Sequence, residues 1–211
     1  MIDFDHLVLW LSPRKVMGSY WPDLSRYVNN GRIYGAQLRE GAMYCDSINA
    51  YVEIPHNEVL NITGDMTLSF WVYLIEYPSD FAGLISKRKA EITTPWGSQV
   101  DKYGKVFFNF YTTEWIDFYS NTPLVLKKWY FITLRRDGQL AQIILNTEID
   151  ASMDFSDTPQ GNSQPVCIGF DPRMQDNYVH AFFGDILLHN IALSLEQIRI
   201  LYELTSPYGT R

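Results

Sequence analysis

Apolar and polar positions alternate most cleanly between Met66 and Leu74. Neighbouring side chains of an extended chain point to opposite faces. Met66, Leu68, Phe70, Val72 and Leu74 therefore share one face, and Thr67, Ser69, Trp71 and Tyr73 share the other. The run holds no Gly, Pro or charged residue, which suits a central strand of a packed sheet. Shorter stretches of the same character predict strands over 7–11, 42–45, 51–54, 83–87, 105–111, 115–119, 129–135, 141–145, 166–169 and 181–189. Ser12-Pro13, Asp46-Ser47 and Pro55 punctuate them, and Arg136-Asp137-Gly138 carries an Asp-Gly hairpin signal. Asn146 breaks the strand before it, 150–164 reads as polar loop, and a long loop carries Pro95-Trp96-Gly97.

The pattern changes period once. Ser194 is a good N-cap, Gln197 completes a capping box, and Leu193 is placed to staple against Ile198. Leu195, Ile198, Leu201 and Tyr202 then repeat at helical spacing up to Ser206-Pro207. Many short strands with long loops and one small helix predict an all-β fold. The expected form is a two-sheet antiparallel jelly-roll sandwich with a short C-terminal helix, one domain over residues 1–211.

Composition narrows the partners. The formal net charge of −7 repels phosphate backbones, so nucleic acid is excluded as an expected partner and anionic membranes are disfavoured. Lys87-Arg88-Lys89, the longest basic cluster, reads as a solvated turn. No apolar run is long enough to span a membrane, so no membrane insertion is expected. The first residues lack a basic n-region, which predicts a chain that is intracellular, carried in a particle or cut from a larger protein. Cys45 and Cys167 read as small buried hydrophobes, with a single bridge between them as the alternative.

In order, these pieces resemble the laminin-G-like (concanavalin A-like) jelly-roll domains over nearly the full length. The resemblance is carried by Leu9-Trp10-Leu11, the Asp23-Leu24-Ser25 … Asn30-Gly31 loop, Ala50-Tyr51-Val52-Glu53-Ile54 and Met66 to Val72. It continues through Leu84-Ile85-Ser86-Lys87, Lys128-Trp129-Tyr130, Cys167-Ile168-Gly169, Phe183-Gly184-Asp185-Ile186 and Ala192 to Ile198. It implies a sandwich that is usually non-catalytic and recognises glycans or proteins through rim loops. Relatives include modules of secreted, surface and phage structural proteins, and some bind calcium. Where such domains often carry an acidic pair, this chain has Leu187-Leu188-His189-Asn190.

Several groups invite a sharper chemistry. Glu148-Ile149-Asp150 matches the start of the Glu-x-Asp-x-x-Glu strand of glucanases built on this sandwich, but Met153 stands where the third carboxylate belongs. Asp23, Asn29 and Asn30 supply oxygens suited to calcium, and the same residue types also close turns. Asp176 and Tyr178 lie in an oxygen-rich stretch suited to a ligand or to an ordinary loop. Tyr20, Trp21, Trp96 and Trp115 fall in or beside loops, where flat faces stack on sugars or anchor a protein, or else cap the ends of the sandwich. His6, His56, His180 and His189 show no metal spacing. The resulting expectation is a non-catalytic module that binds glycan or protein through rim loops, in a virion or on an extracellular surface. A glycoside hydrolase or lyase on the same sandwich is the first alternative. A purely structural, homo-oligomeric decoration protein is the second.

Overall fold

The computed structural model describes residues 3–88, 93–173 and 177–207. The strand predicted first is β7, Met66–Leu74, and it lies inside a sheet with neighbours on both sides. Before it come β1 (Leu7–Leu11), β2 (Tyr20–Trp21), β3 (Gly31–Tyr34), β4 (Gln37–Arg39), β5 (Ala42–Cys45) and β6 (Tyr51–Ile54). After it come β8 (Phe81–Lys87), β9 (Gly97–Asp101), β10 (Val106–Tyr111), β11 (Trp115–Tyr119) and β12 (Trp129–Asp137). The last strands are β13 (Leu140–Leu145), β14 (Glu148–Asp154), β15 (Val166–Ile168) and β16 (Ala181–His189), followed by helix α1 (Leu195–Thr205).

The strands form two antiparallel sheets. One runs β14-β13-β12-β7-β16-β5-β4, with β1 added on β16; the other runs β11-β10-β9-β8-β15-β6-β3-β2. Between them Met66, Leu68, Phe70, Val72 and Leu74 pack with Tyr130, Ile132, Phe108, Phe110, Phe183 and Ile186 in one continuous core. Phe70 and Val72 are fully buried, as the alternation requires.

The other face of β7 is covered too. Trp71 packs with Phe131, Leu187, Ile198, Leu201 and Leu193 in a second buried cluster, formed where α1 lies against the sheet. Trp71 Nε1 donates to Thr205 Oγ1 at 2.9 Å. Thr67 Oγ1 donates to Ile191 O and accepts from Leu193 N, which fixes the approach to the helix. The capping box forms as the sequence predicts, with Ser194 and Gln197 exchanging side-chain and backbone bonds. Leu195, counted on the apolar face by its spacing, is largely exposed instead, and the buried positions are Ile198, Leu201 and Thr205.

Three departures have local causes. Residues 148–154, read mostly as loop, form β14, because Asn146 adopts a positive φ of 60° and turns the chain back onto β13. The stretch after Trp96 forms β9, whose polar run Gly97-Ser98-Gln99 hid it from a hydrophobicity reading. Lys87 and Arg88, read as a solvated turn, are both fully buried; Lys89 lies outside the described residues. Cys45 and Cys167 are free and buried, and burial raises the Cys45 thiol above its ordinary value.

Phe70→Ala should cost about 3–5 kcal/mol in urea unfolding, because the inner face cannot collapse around the void. A pH series tests the outer face. Burial holds His189 down from 6.5 to about 4, so below pH 6.5 the unfolded chain binds the proton first. Stability should fall between pH 6.5 and about 4, by on the order of 3 kcal/mol, and His189→Leu should flatten that limb.

Candidate functional site

The rim residues singled out from the sequence divide by burial. Trp96 is fully buried, and its Nε1 donates to Leu60 O at 3.0 Å. Arg136 donates to Pro95 O, Ile62 O and Gly64 O, pinning the same loop to the sandwich end, and burial lowers it to about 9. Trp21 is likewise fully buried. Neither indole has a face free to stack on a ligand, so both belong to the core. Trp115 is half-buried between Tyr111 and Arg173, whose guanidinium lies 4.6 Å over its ring. Tyr178 stacks on Phe170 with centroids 4.2 Å apart. Tyr20 is 50% exposed and lines a shallow depression with Tyr27, Val28, Arg32 and His56. Asp176 lies outside the described residues.

The calcium candidates do not fit that ion. Asp23 Oδ1 accepts from Trp10 N and Ser25 N, and Oδ2 accepts from Ser25 Oγ and Asn29 N. Asn29 Oδ1 accepts from Asn57 Nδ2, and Asn30 Oδ1 accepts from Asp23 N. These oxygens close the loop and are committed to N–H and O–H donors, whereas calcium requires six to eight of its own. The glucanase-like motif is dispersed as well. β14 is the margin of its sheet, a bulge leaves Asp150 unpaired between Ile149 and Ala151, and its carboxylate accepts from Asn121 N and Thr122 N.

A buried polar cluster lies on the outer face of the β8-containing sheet. Arg88 donates to both carboxylate oxygens of Asp171 and to Asn109 Oδ1, and Gln99 Nε2 donates to the same Asp171. A Cβ on Gly83 would meet Phe170 C at 2.3 Å, so glycine is what lets this loop lie directly on β8. Arg88 and Asp171 are both fully buried, and the cluster anchors the loop.

Among the described residues, an open site lies on the outer face of the other sheet, beyond the end of α1. Cross-strand register aligns Trp129 with Tyr73, Tyr73 with Phe182, and Phe182 with Tyr44. One row of aromatic side chains thus crosses β12, β7, β16 and β5. Successive centroids are 5.5, 6.0 and 5.1 Å apart. All four rings are half-buried. Trp129, Tyr73 and Phe182 floor a cleft of about 300 Å³, lined also by Ala42, Ile75, Glu40 and Lys127. Glu40 and Lys127 sit in turns with φ of 52° and 59°, a left-handed conformation that is costly for residues with a Cβ and recurs at functional sites. A wider depression of about 470 Å³, lined by Glu114, Asp154, Asp157, Met153 and Phe155, lies at the sheet margin and lacks such a floor.

The family description "concanavalin A-like lectin/glucanases superfamily" matches residues 46–199. The chain belongs to this superfamily. No curated protein matches it by sequence. Among solved structures, the binding domain of Paraclostridial mosquitocidal protein 1 is similar at 16% identity and TM-score 0.78, with 95% of this chain and 52% of that one covered. A structure of botulinum neurotoxin type C, which depends on two ganglioside molecules to enter cells, is similar at 17% identity and TM-score 0.77, with coverages of 94% and 51%. Trypanosoma rangeli sialidase in complex with sialic acid is similar at 15% identity and TM-score 0.74, with coverages of 95% and 33%. The superfamily member described here thus spans about half, or a third, of these proteins, and the likeness is one of fold.

The cleft residues were absent from the rim-loop candidates. Their signal was nonetheless in the alternation, which puts Trp71 and Tyr73 opposite the inner face of β7 and Trp129 and Phe131 opposite Tyr130 and Ile132. Asp171→Ala should destabilise the fold by about 3–5 kcal/mol in denaturant titration, because Arg88 would remain buried without a counter-charge. Pairing it with Arg88→Met should recover part of that loss.

Proposed function

We propose that this protein is a non-catalytic glycan-recognition module whose binding site is the aromatic cleft on the outer face of the β7 sheet. The observation that carries the reading is the half-exposed row Trp129, Tyr73 and Phe182, with Glu40 and Lys127 beside it. Pyranose rings present apolar C–H faces and hydroxyl edges, so aromatic floors with charged hydrogen-bonding groups at the rim suit them. The superfamily's lectin members and the ganglioside-dependent neurotoxin support the same class of ligand. That toxin is only 51% covered, so the identity of the sugar has to come from this cleft.

Hydrolysis is the weaker reading. Most glycoside hydrolases place two carboxyl groups across the scissile bond, and the cleft lining holds one, Glu40. Trp129→Ala and Tyr73→Ala should each lower affinity for captured glycans about tenfold, about 1.4 kcal/mol, with an unchanged circular dichroism spectrum. Trp115→Ala, at the rim, should leave affinity within twofold. The opposite ranking would move the site to the loops, and release of reducing ends from a polysaccharide panel would restore the hydrolase.

A further inference from the structure

The cleft's geometry points to one class of ligand, and this rests on the glycan-binding reading: we propose that it holds an internal stretch of a single neutral, linear oligosaccharide, about three sugar units long, laid across the strands. The row crosses adjacent strands, which lie about 4.7–4.9 Å apart, and the advance per unit of an extended pyranose chain is close to that step. Trp129, Tyr73 and Phe182 therefore offer one ring per sugar in sequence. The fourth ring, Tyr44, is capped by the Arg39 guanidinium 4.1 Å above it, and that guanidinium is itself held by Gln37 Oε1. Arg39 thus ends the stacking surface and leaves N–H groups for hydroxyls of the last unit.

The direction of the chain follows from what surrounds the row. Along the strands, the next outward position of β7 is Trp71, already covered by Tyr202 and bonded to Thr205 of α1. A ligand cannot extend that way. Glu40, in the β4–β5 turn, and Lys127, in the loop before β12, border the cleft and are both exposed. A chain can continue past this exposed border, so the cleft takes an internal stretch without needing a chain end.

Ring orientation and charge select the chain type. Successive rings are turned by 51°, 76° and 52°, following the twist of the sheet. A flat polymer surface needs coplanar rings and would touch one of these at a time, whereas a free, twisted chain meets each in turn. Charges of both signs border the row, Glu40 against Lys127 and Arg39. Hydroxyls donate to Glu40 and accept from Lys127, so a neutral chain satisfies both. An acidic chain would face the Glu40 carboxylate, and a cationic one the Lys127 ammonium.

The test uses the full chain on a printed array of linear oligosaccharides, each backbone present from one to six units, with sulfated and sialylated counterparts. Signal should rise at least tenfold from the monosaccharide to the trisaccharide of a bound neutral backbone, then level off by five units. Phe182→Ala should remove most of the gain at the third unit, and Glu40→Lys, in an exposed turn, should raise binding of the sulfated counterparts. Equal signal for mono- and trisaccharide, or preference of the wild type for acidic glycans, overturns this inference and leaves the glycan-binding reading standing. Silence across the whole array overturns both.

Discussion

The central strand β7 is buried on both faces except at Tyr73, and the architecture follows from that. One face of Met66–Leu74 requires the second sheet, and the other requires α1. An eleven-residue helix is about 16 Å long, while a nine-residue strand runs about 30 Å, so the helix cannot cover the whole outer face. Where it stops, beyond Trp71, the next row of aromatic rings is left half-covered. Among the described residues, the candidate site is thus the uncovered remainder of a hydrophobic surface whose other part holds the C-terminal helix in place.

Buried cations do for the loops what the helix does for the strand. Arg88 binds the Asp171 loop, Arg136 holds carbonyls at Ile62, Gly64 and Pro95, and Lys87 Nζ contacts Gln164 O and His56 Nδ1. Burial lowers Arg88 to about 10 and Lys87 to about 8, the cost of placing charge away from water. Each head group is matched to a carboxylate, to carbonyl oxygens, or in Lys87 to one carbonyl and an imidazole nitrogen, and buried charge is tolerated only when paired or hydrogen-bonded. The Asp23 carboxylate plays the complementary part for the 23–30 loop by accepting its backbone N–H groups.

Most strands and the helix were legible because they depend on local patterns. Period-two alternation marks β7, β12 and β16, and Ser194 with Gln197 marks the start of α1 through contacts three residues apart. The missed elements are short or polar. β2, β3 and β4 sit at the sandwich edge, where Gln37, Leu38 and Arg39 are all exposed and need no apolar pattern. β9 faces a polar cluster with Gln99, which inverts the usual signature of a buried strand. The loop sequence around Trp96 suits a ligand-stacking ring and a cap on the sandwich end equally, and a contact 36 residues away, with Leu60 O, decides for the cap.

The sequence by itself determined which residues share a face, where the helix begins, and that two sheets must close on an aromatic core. These follow from side-chain period and from capping over a few residues. Only the tertiary structure decided which face of which strand stays open, and so which aromatics can meet a ligand. Trp129, Tyr73, Phe182 and Tyr44 come from segments far apart in the chain and align only because strand pairing puts them in one register. No local rule distinguishes them from Trp71 and Phe131, which have the same pattern but lie beneath α1.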